Sequence, residues 1–164
     1  MGAALLAAVA LSGGGRTPTP AVLECRLVAA ESYRAGNKVL VRFVLANRGE
    51  LEVSVLTWYS PLEGLLGNVF RVVDAAGAVR PYQGPMVKRG DPEADEYTTV
   101  PPKGEIAEEV DLALAYDLTA PGRYTVTFAG PIADLTTPGA IPRPRERHRP
   151  SAIQPCTARF QIVD

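Results

Sequence analysis

From residue 22 onward, short runs of alternating apolar and polar residues are separated by clusters of glycine, proline and asparagine. Alternation with a period of two is typical of β-strands that bury one face, and the intervening clusters are typical of turns. In the stretch 38–46 the apolar residues on one face are Val39, Val41, Phe43 and Leu45. Helical periodicity is almost absent, so the pattern predicts an all-β protein.

The predicted strands are separated by turns and by two long polar loops, at 85–102 and 130–154. The strands are predicted at Leu23–Ala29, Lys38–Ala46, Leu51–Tyr59, Val69–Val73, Val79–Tyr82, Glu105–Leu112, Tyr124–Phe128 and Cys156–Val163. This number and spacing favour an immunoglobulin-like antiparallel sandwich of two sheets and about 7–9 strands.

Two aromatic residues are expected to have structural roles in such a sandwich. Tyr124 follows Gly122 at the entry of a late strand, which is the position of a tyrosine corner, although an ordinary core tyrosine has the same pattern. Trp58 is expected near the end of a central strand, with its ring in the core and its N–H on a polar partner.

The first twenty residues resemble a secretory signal peptide followed by a linker. The apolar run 3–11 is too short to span a bilayer and is followed by the small residues 12–15. The basic residue that usually precedes such a run is missing, which leaves open an atypical signal, a start further upstream, or a disordered leader. We expect a leader over 1–20 and one domain over 21–164, secreted or periplasmic and not membrane-bound after leader removal.

The two cysteines, Cys25 and Cys156, stand near the ends of the predicted domain. Each has the inward phase of its strand, so the pattern predicts a disulfide between the first and last strands. Two buried free thiols are the alternative.

Charge excludes some partners and suggests others. Seventeen basic and eighteen acidic residues give a net charge of −1, which offers no whole-domain attraction for nucleic acid or an anionic membrane. Basic residues nevertheless occur in both long loops, and the stretch 143–149 has four arginines without interleaved aromatic residues. We expect these residues to contact a protein partner or simply to be solvated: Lys88, Arg89, Arg143, Arg145 and Arg147.

No catalytic chemistry can be recognised in the sequence. His148 is the single histidine, so a metal site or a Ser-His-acid triad would lack partners. No glycine-rich phosphate loop or Gly-x-Ser-x-Gly motif is present. Paired acids such as Asp91 and Glu93 could serve a glycosidase, but such pairs are typical of a solvated surface. We therefore expect a non-enzymatic binding protein with no catalytic, metal or cofactor residues.

Several segments together carry a resemblance to a known family, and the Trp-Tyr-x-Pro-Leu-x-Gly and Gly-Pro-x-x-Lys-Arg runs among them are not generic sandwich patterns. They are Trp58-Tyr59-Ser60-Pro61-Leu62-Glu63-Gly64, the run from Tyr82-Gln83-Gly84-Pro85 to Met86-Val87-Lys88-Arg89, then Val110-Asp111-Leu112, Tyr116-Asp117-Leu118 and Gly122-Arg123-Tyr124. Over 23–163 the chain resembles the immunoglobulin-like region that precedes the catalytic domain in bacterial peptidyl-Lys metalloendopeptidases of the deuterolysin type. The H-E-x-x-H helix of those proteases is absent.

The resemblance implies a non-catalytic, pro-segment-like module that engages an extracellular lysine-directed metalloendopeptidase as inhibitor or folding partner. Lys88 would then enter the acidic pocket that holds a substrate lysine. In the alternative for this loop, Lys88 and Arg89 are solvated or pair with the nearby acids Asp91, Glu93 and Asp95. The alternative function is an extracytoplasmic sandwich that binds another protein or a glycan.

Overall fold

The computed structural model describes residues 21–164, which form strands and short 3-10 turns without an α-helix. The strands are β1 (Leu23–Ala29), β2 (Ser32–Arg34), β3 (Leu40–Asn47), β4 (Val53–Leu56), β5 (Arg71–Asp74), β6 (Tyr97–Val100), β7 (Glu105–Asp111), β8 (Gly122–Phe128), β9 (Leu135–Thr136) and β10 (Cys156–Val163). The 3-10 turns are Pro61–Glu63, Ala94–Glu96, Leu112–Leu114, Pro138–Ala140 and Arg145–Arg147.

Two sheets form the body of the domain. One has the order β1-β3-β7 and is antiparallel throughout. The other has the order β2-β10-β8-β5, in which β2 runs parallel to β10 and the other pairs are antiparallel. The first sheet corresponds to strands A, B and E of an immunoglobulin domain, and β5, β8 and β10 correspond to C, F and G. The predicted all-β, immunoglobulin-like sandwich is confirmed.

The core lies between these sheets because the alternating apolar residues of each face inward. Phe43 on β3 and Phe128 on β8 meet edge to face with ring centroids 5.0 Å apart, and both are fully buried. Such a ring pair contributes roughly 0.5–1.5 kcal/mol beyond the burial of its area. The core therefore ties the two sheets together at their middle strands.

A disulfide between Cys25 on β1 and Cys156 on β10 is a second link between the sheets. The two Cα atoms are 5.7 Å apart, and the bond encloses a sequence separation of 131 residues. This confirms the predicted pairing of the first and last strands, and it fits folding in an oxidising compartment.

Tyr124 lies at the start of β8 and is almost completely buried. Its hydroxyl donates to the carbonyl of Ala120, at 2.8 Å, and its ring stacks on Phe160 with centroids 5.7 Å apart. A phenol that returns to backbone four residues upstream is the geometry of a tyrosine corner.

A third, smaller sheet has the order β6-β4-β9 and is the main departure from the predicted fold. Its strands come from three separate connections: β3 to β5, β5 to β7, and β8 to β10. The stretches 85–102 and 130–154 were predicted to be loops, but they contain β6 and β9. One face of β4 joins the main core through Val53 and Val55, whereas Leu56 packs in a second apolar cluster with Trp58 and Tyr97.

Two predicted strands are also shorter than expected. The strand predicted at Leu51–Tyr59 ends at Leu56, because the chain turns at Tyr59. The hairpin strand predicted at Val79–Tyr82 is reduced to a single bridge between Val73 and Val79. Pro81 has no N–H with which to extend that pairing.

The predicted leader, residues 1–20, lies outside the described residues. Within 21–164, no helix has the length and apolarity needed to cross a membrane.

Candidate functional site

The candidate site is the end of the domain where the third sheet meets the two long polar connections. The turn after β4, Trp58 to Gly64, fixes its geometry. Ser60 is fully buried; its hydroxyl donates to the carbonyl of Thr57, at 2.7 Å, and accepts the N–H of Leu62, at 3.2 Å. Pro61 then starts the 3-10 turn with the restricted φ that this position favours. The Ser-x-x-Glu spacing of this turn is the sequence signal of a helix start.

Tyr59 has a left-handed backbone, with φ of 58°, which is uncommon for a residue other than glycine. The conformation is held because the Tyr59 N–H donates to Oε1 of Glu63, at 2.9 Å. The consequence is that the Tyr59 side chain is half exposed, while the neighbouring Trp58 ring is buried.

Trp58 is buried and its indole N–H donates to Oε1 of Glu96, at 2.8 Å. The expected burial and polar partner are both present, but the expected position is wrong. Trp58 follows β4 of the third sheet and packs in the second apolar cluster, not on a central strand of the sandwich. Its location depends on pairing between β4 and β6, which are more than forty residues apart in the chain.

Arg89 is an internal link between connections. Its guanidinium forms an ion pair with Glu63, lies 3.6 Å from Oε1 of Glu96, and stands 4.9 Å from the centre of the Trp58 ring. Burial raises the pKa of Glu63, although the Tyr59 N–H and the charge of Arg89 oppose this effect. The Arg89 side chain is therefore held in the protein interior by its own contacts.

Asp134 is the centre of a second buried cluster. Two guanidinium nitrogens of Arg143 donate to its two carboxylate oxygens. The Tyr97 hydroxyl donates to Oδ2, at 2.8 Å, and the Arg149 N–H donates to Oδ1, at 2.7 Å. Burial alone would raise the pKa of Asp134, but the bonds from Arg143, Arg149 and Tyr97 together hold it below the ordinary value. Burial and the bond to Asp134 raise the pKa of Tyr97 to about 12.

The two long connections, 85–102 and 130–154, lie side by side. The N–H of Arg145 donates to Oδ1 of Asp91, at 3.0 Å, and its guanidinium donates to the carbonyl of Arg89, at 2.9 Å. His148 lies edge on to the Trp58 ring, with centroids 6.4 Å apart, and its Nε2 is 3.0 Å from the carbonyl of Arg143. The sequence analysis identified both basic segments but had no signal for their contact.

The predicted partner-binding residues therefore separate into two groups. Arg89 and Arg143 are held in internal ion pairs, with side chains only 11% and 15% exposed. Lys88, Arg145 and Arg147 are exposed. Among residues 21–164, Lys88 forms no ion pair or side-chain hydrogen bond.

Sequence reasoning did not identify the apolar surface beside Lys88. We call it the docking patch, and its members are Tyr59, Leu66, Met86 and Val87, which are 50%, 36%, 77% and 42% exposed. All four line one hollow of about 300 Å³. The described residues contain no group of three or more His, Cys, Asp or Glu side chains arranged to hold a metal ion.

No family model matches the chain, and no curated protein matches it. Two solved structures of the CARDB domain of the PF1109 protein from Pyrococcus furiosus are similar to it. The crystal structure, described as a complex with di-metal ions, has 11% sequence identity and a TM-score of 0.40, and the match covers 87% of this chain and 89% of that one. The solution structure has 10% identity and a TM-score of 0.38, covering 86% and 94%.

Proposed function

We propose that this chain is a non-catalytic, secreted or periplasmic binding module that engages an extracellular lysine-directed metalloendopeptidase as inhibitor or folding partner. In this proposal Lys88 enters the protease pocket that normally holds a substrate lysine. The observation that carries the proposal is that Lys88 is exposed and unpartnered on a loop whose neighbouring residues are held in place.

The loop is fixed on both sides of Lys88. Before it, the N–H of Val87 donates to the carbonyl of Leu66, at 3.2 Å, and the Tyr82 hydroxyl donates to the carbonyl of Pro85, at 2.7 Å. After it, Arg89 is buried in its ion pair with Glu63. A loop already held in its bound shape loses less conformational entropy on association, so more of the contact energy appears as affinity.

The docking patch would supply the apolar part of the interface. Tyr59 and Met86 present exposed apolar surface, and Met86 is two residues before Lys88 in the chain. Lys88 itself lines a neighbouring hollow with Asp91, Glu93 and Asp95. Aromatic residues and methionine are enriched at the centres of protein interfaces, where they exclude water from neighbouring charges. A lysine bordered by such residues would be desolvated on docking, which strengthens its pairing with an acidic pocket.

In the alternative for this loop, Lys88 and Arg89 are solvated or pair with Asp91, Glu93 and Asp95. Arg89 pairs instead with Glu63 and Glu96. Lys88 is exposed and unpaired within residues 21–164, as the solvated form of the alternative also requires, so a binding measurement decides between the two. Asp91 instead accepts the N–H of Arg145. These contacts leave the ammonium group of Lys88 available to a partner.

The test is to mix the purified chain with a lysine-directed metalloendopeptidase and to measure residual protease activity and complex formation by calorimetry. We expect a 1:1 complex. Lys88→Ala should weaken it by about 2 kcal/mol, the size of a buried charged anchor. Lys38→Ala is the matched control, since Lys38 is exposed in a turn on a different connection and should leave the affinity unchanged.

The two roles differ in their effect on the protease. An inhibitor reduces the activity of the folded enzyme, whereas a folding partner increases the yield of active enzyme recovered from denaturant. The absence of a complex at micromolar concentrations and of any effect on refolding would overturn the proposal. If Lys88→Ala binds as tightly as the parent, the lysine-mimic part is wrong, and the exposed Arg145 and Arg147 are the next residues to replace.

A further inference from the structure

The outer face of the β2-β10-β8-β5 sheet carries only basic charges. The register pairs Arg159 with Thr125, Arg123 with Gln161, and Arg71 with Thr127, and all these residues point away from the core. On β2, Arg34 lies opposite Val163 and has the same outward phase. We call this surface the arginine face; its outward residues are Arg34, Arg71, Arg123 and Arg159, with Ser32, Val73, Thr125, Thr127, Thr157, Gln161 and Val163 between and beside them.

The four arginines are exposed, and none forms an ion pair or a side-chain hydrogen bond within residues 21–164. The opposite sheet, β1-β3-β7, behaves differently. There Arg26 pairs with Glu105 at 3.7 Å, and at the end of that sheet Arg48 pairs with Glu24 at 2.8 Å. The net charge of −1 thus conceals an uneven distribution: the outward residues of β1-β3-β7 include both acids and arginines, whereas those of β2-β10-β8-β5 include arginines and no acid.

The spacing of the arginines suits several anionic groups on one ligand. Arg123 and Arg159 are diagonal neighbours on adjacent strands, so their positions are roughly 7–8 Å apart. Both line an open hollow of about 590 Å³ together with Gln161. Glu31 and Asp74 also line it, but neither is ion-paired with an arginine, and Oδ1 of Asp74 accepts the N–H groups of Ala76 and Ala78.

We propose that the arginine face binds an acidic polysaccharide, a linear sugar polymer that carries carboxylate or sulfate groups. Guanidinium groups bind such anions with two parallel hydrogen bonds. The threonine hydroxyls and the Gln161 amide between them are donors and acceptors suited to sugar hydroxyls. Tyr124 and Phe160 also line the hollow, but both rings are buried, and the outward residues of the four strands include no aromatic ring on which a nucleic-acid base could stack. This site shares no residue with the docking patch or Lys88.

The test uses the full chain with polygalacturonate and dextran sulfate as probes and neutral dextran as control. We expect binding to both anionic polymers that weakens as salt is raised, and none to neutral dextran. Arg123→Gln with Arg159→Gln should lower the affinity by about tenfold or more, since it removes two of the four guanidinium groups that would pair with the anions. Arg26→Gln with Arg42→Gln removes the same charge from the opposite sheet and should change the affinity by less than about twofold.

Thermal unfolding of every variant checks that it is folded. If the Arg123 and Arg159 double variant is unstable, Arg123→Lys with Arg159→Lys keeps the charge and should retain part of the affinity. The proposal is wrong if neither anionic polymer binds at low salt. It is equally wrong if the glutamine variant of Arg123 and Arg159 and the glutamine variant of Arg26 and Arg42 lose the same affinity. It is also wrong if duplex DNA or phosphatidylglycerol vesicles bind more tightly than the polysaccharides.

Discussion

The guanidinium of Arg89 lies over the ring of Trp58, 4.9 Å from its centre. Glu96 contacts both residues, since its Oε1 accepts the indole N–H and also lies near the guanidinium. The turn after β4 and the connection before β6 are thereby joined at one point. The position of Lys88, which precedes Arg89, depends on this junction.

Removing the Trp58 side chain should test the importance of the junction. Trp58→Ala should lower the free energy of unfolding by about 3–5 kcal/mol, the usual cost of deleting a large buried aromatic. Trp58→Phe keeps a ring but loses the bond to Glu96, so its loss should be smaller. Urea unfolding of the three proteins measures both effects, and an unchanged midpoint in Trp58→Ala would contradict the burial of this ring.

The disulfide should contribute a large part of the stability. Its loop of 131 residues corresponds to about 5 kcal/mol in the chain-entropy estimate. Cys25→Ser with Cys156→Ser, or treatment of the parent with dithiothreitol, should therefore lower the melting temperature. The double variant itself should be insensitive to reductant. Equal melting of the parent with and without reductant would show that the bond is absent or without effect.

Asp134 should make stability depend on acidity. The folded state holds the pKa of Asp134 below its ordinary value, so the unfolded chain takes up a proton first as the pH falls. The stabilisation is thus fully present above the unfolded pKa of about 3.9 and is lost as the pH falls through the folded pKa. Asp134→Asn should be less stable than the parent at pH 7, and the difference should shrink with acidification.

The exposed Asp117 is the control for that experiment. Its pKa is also lowered, mainly by hydrogen bonds from Thr119, but its carboxylate is screened by solvent. Asp117→Asn should change the pH dependence of the melting temperature much less than Asp134→Asn. If the melting temperatures of the parent and of Asp134→Asn changed in parallel from pH 7 to pH 2, the pH dependence could not be assigned to Asp134.

Met86 should affect binding without affecting stability. Its side chain is 77% exposed in the docking patch, and Leu114 is 76% exposed in the 3-10 turn after β7. Met86→Ser should weaken the protease complex by more than about 1 kcal/mol if Met86 lies in the interface. Leu114→Ser should bind like the parent. Both variants should have the melting temperature of the parent. If Met86→Ser binds the protease as tightly as Leu114→Ser, Met86 lies outside the contact.

The sandwich was largely predictable because its strands bury one face. The limits of β1 and β10 agree with the predicted limits, since their apolar residues alternate cleanly. In β4 all four residues are buried, so burial does not alternate, and the predicted strand Leu51–Tyr59 extended beyond the observed limits Val53–Leu56. The two residues of β9 are too few to show any period.

The candidate site was predictable only in part. The basic residues of both connections are visible in the sequence, but the acids that neutralise Arg89 and Arg143 look like any surface acid. Glu63 and Asp134 are buried because the third sheet brings distant connections together, and local sequence does not encode that pairing. The docking patch was missed because isolated apolar residues in turns are common on ordinary surfaces.

The bond between Cys25 and Cys156 also determines how the domain would respond to a pulling force. A load applied between the residues that flank the domain passes from β1 to β10 through a covalent bond, not through the hydrogen bonds of the sheets. About 450 Å of chain between the two cysteines is thereby withheld from extension. Stretched at its ends, the oxidised domain would behave as a link of nearly fixed length, and only the reduced domain could unravel.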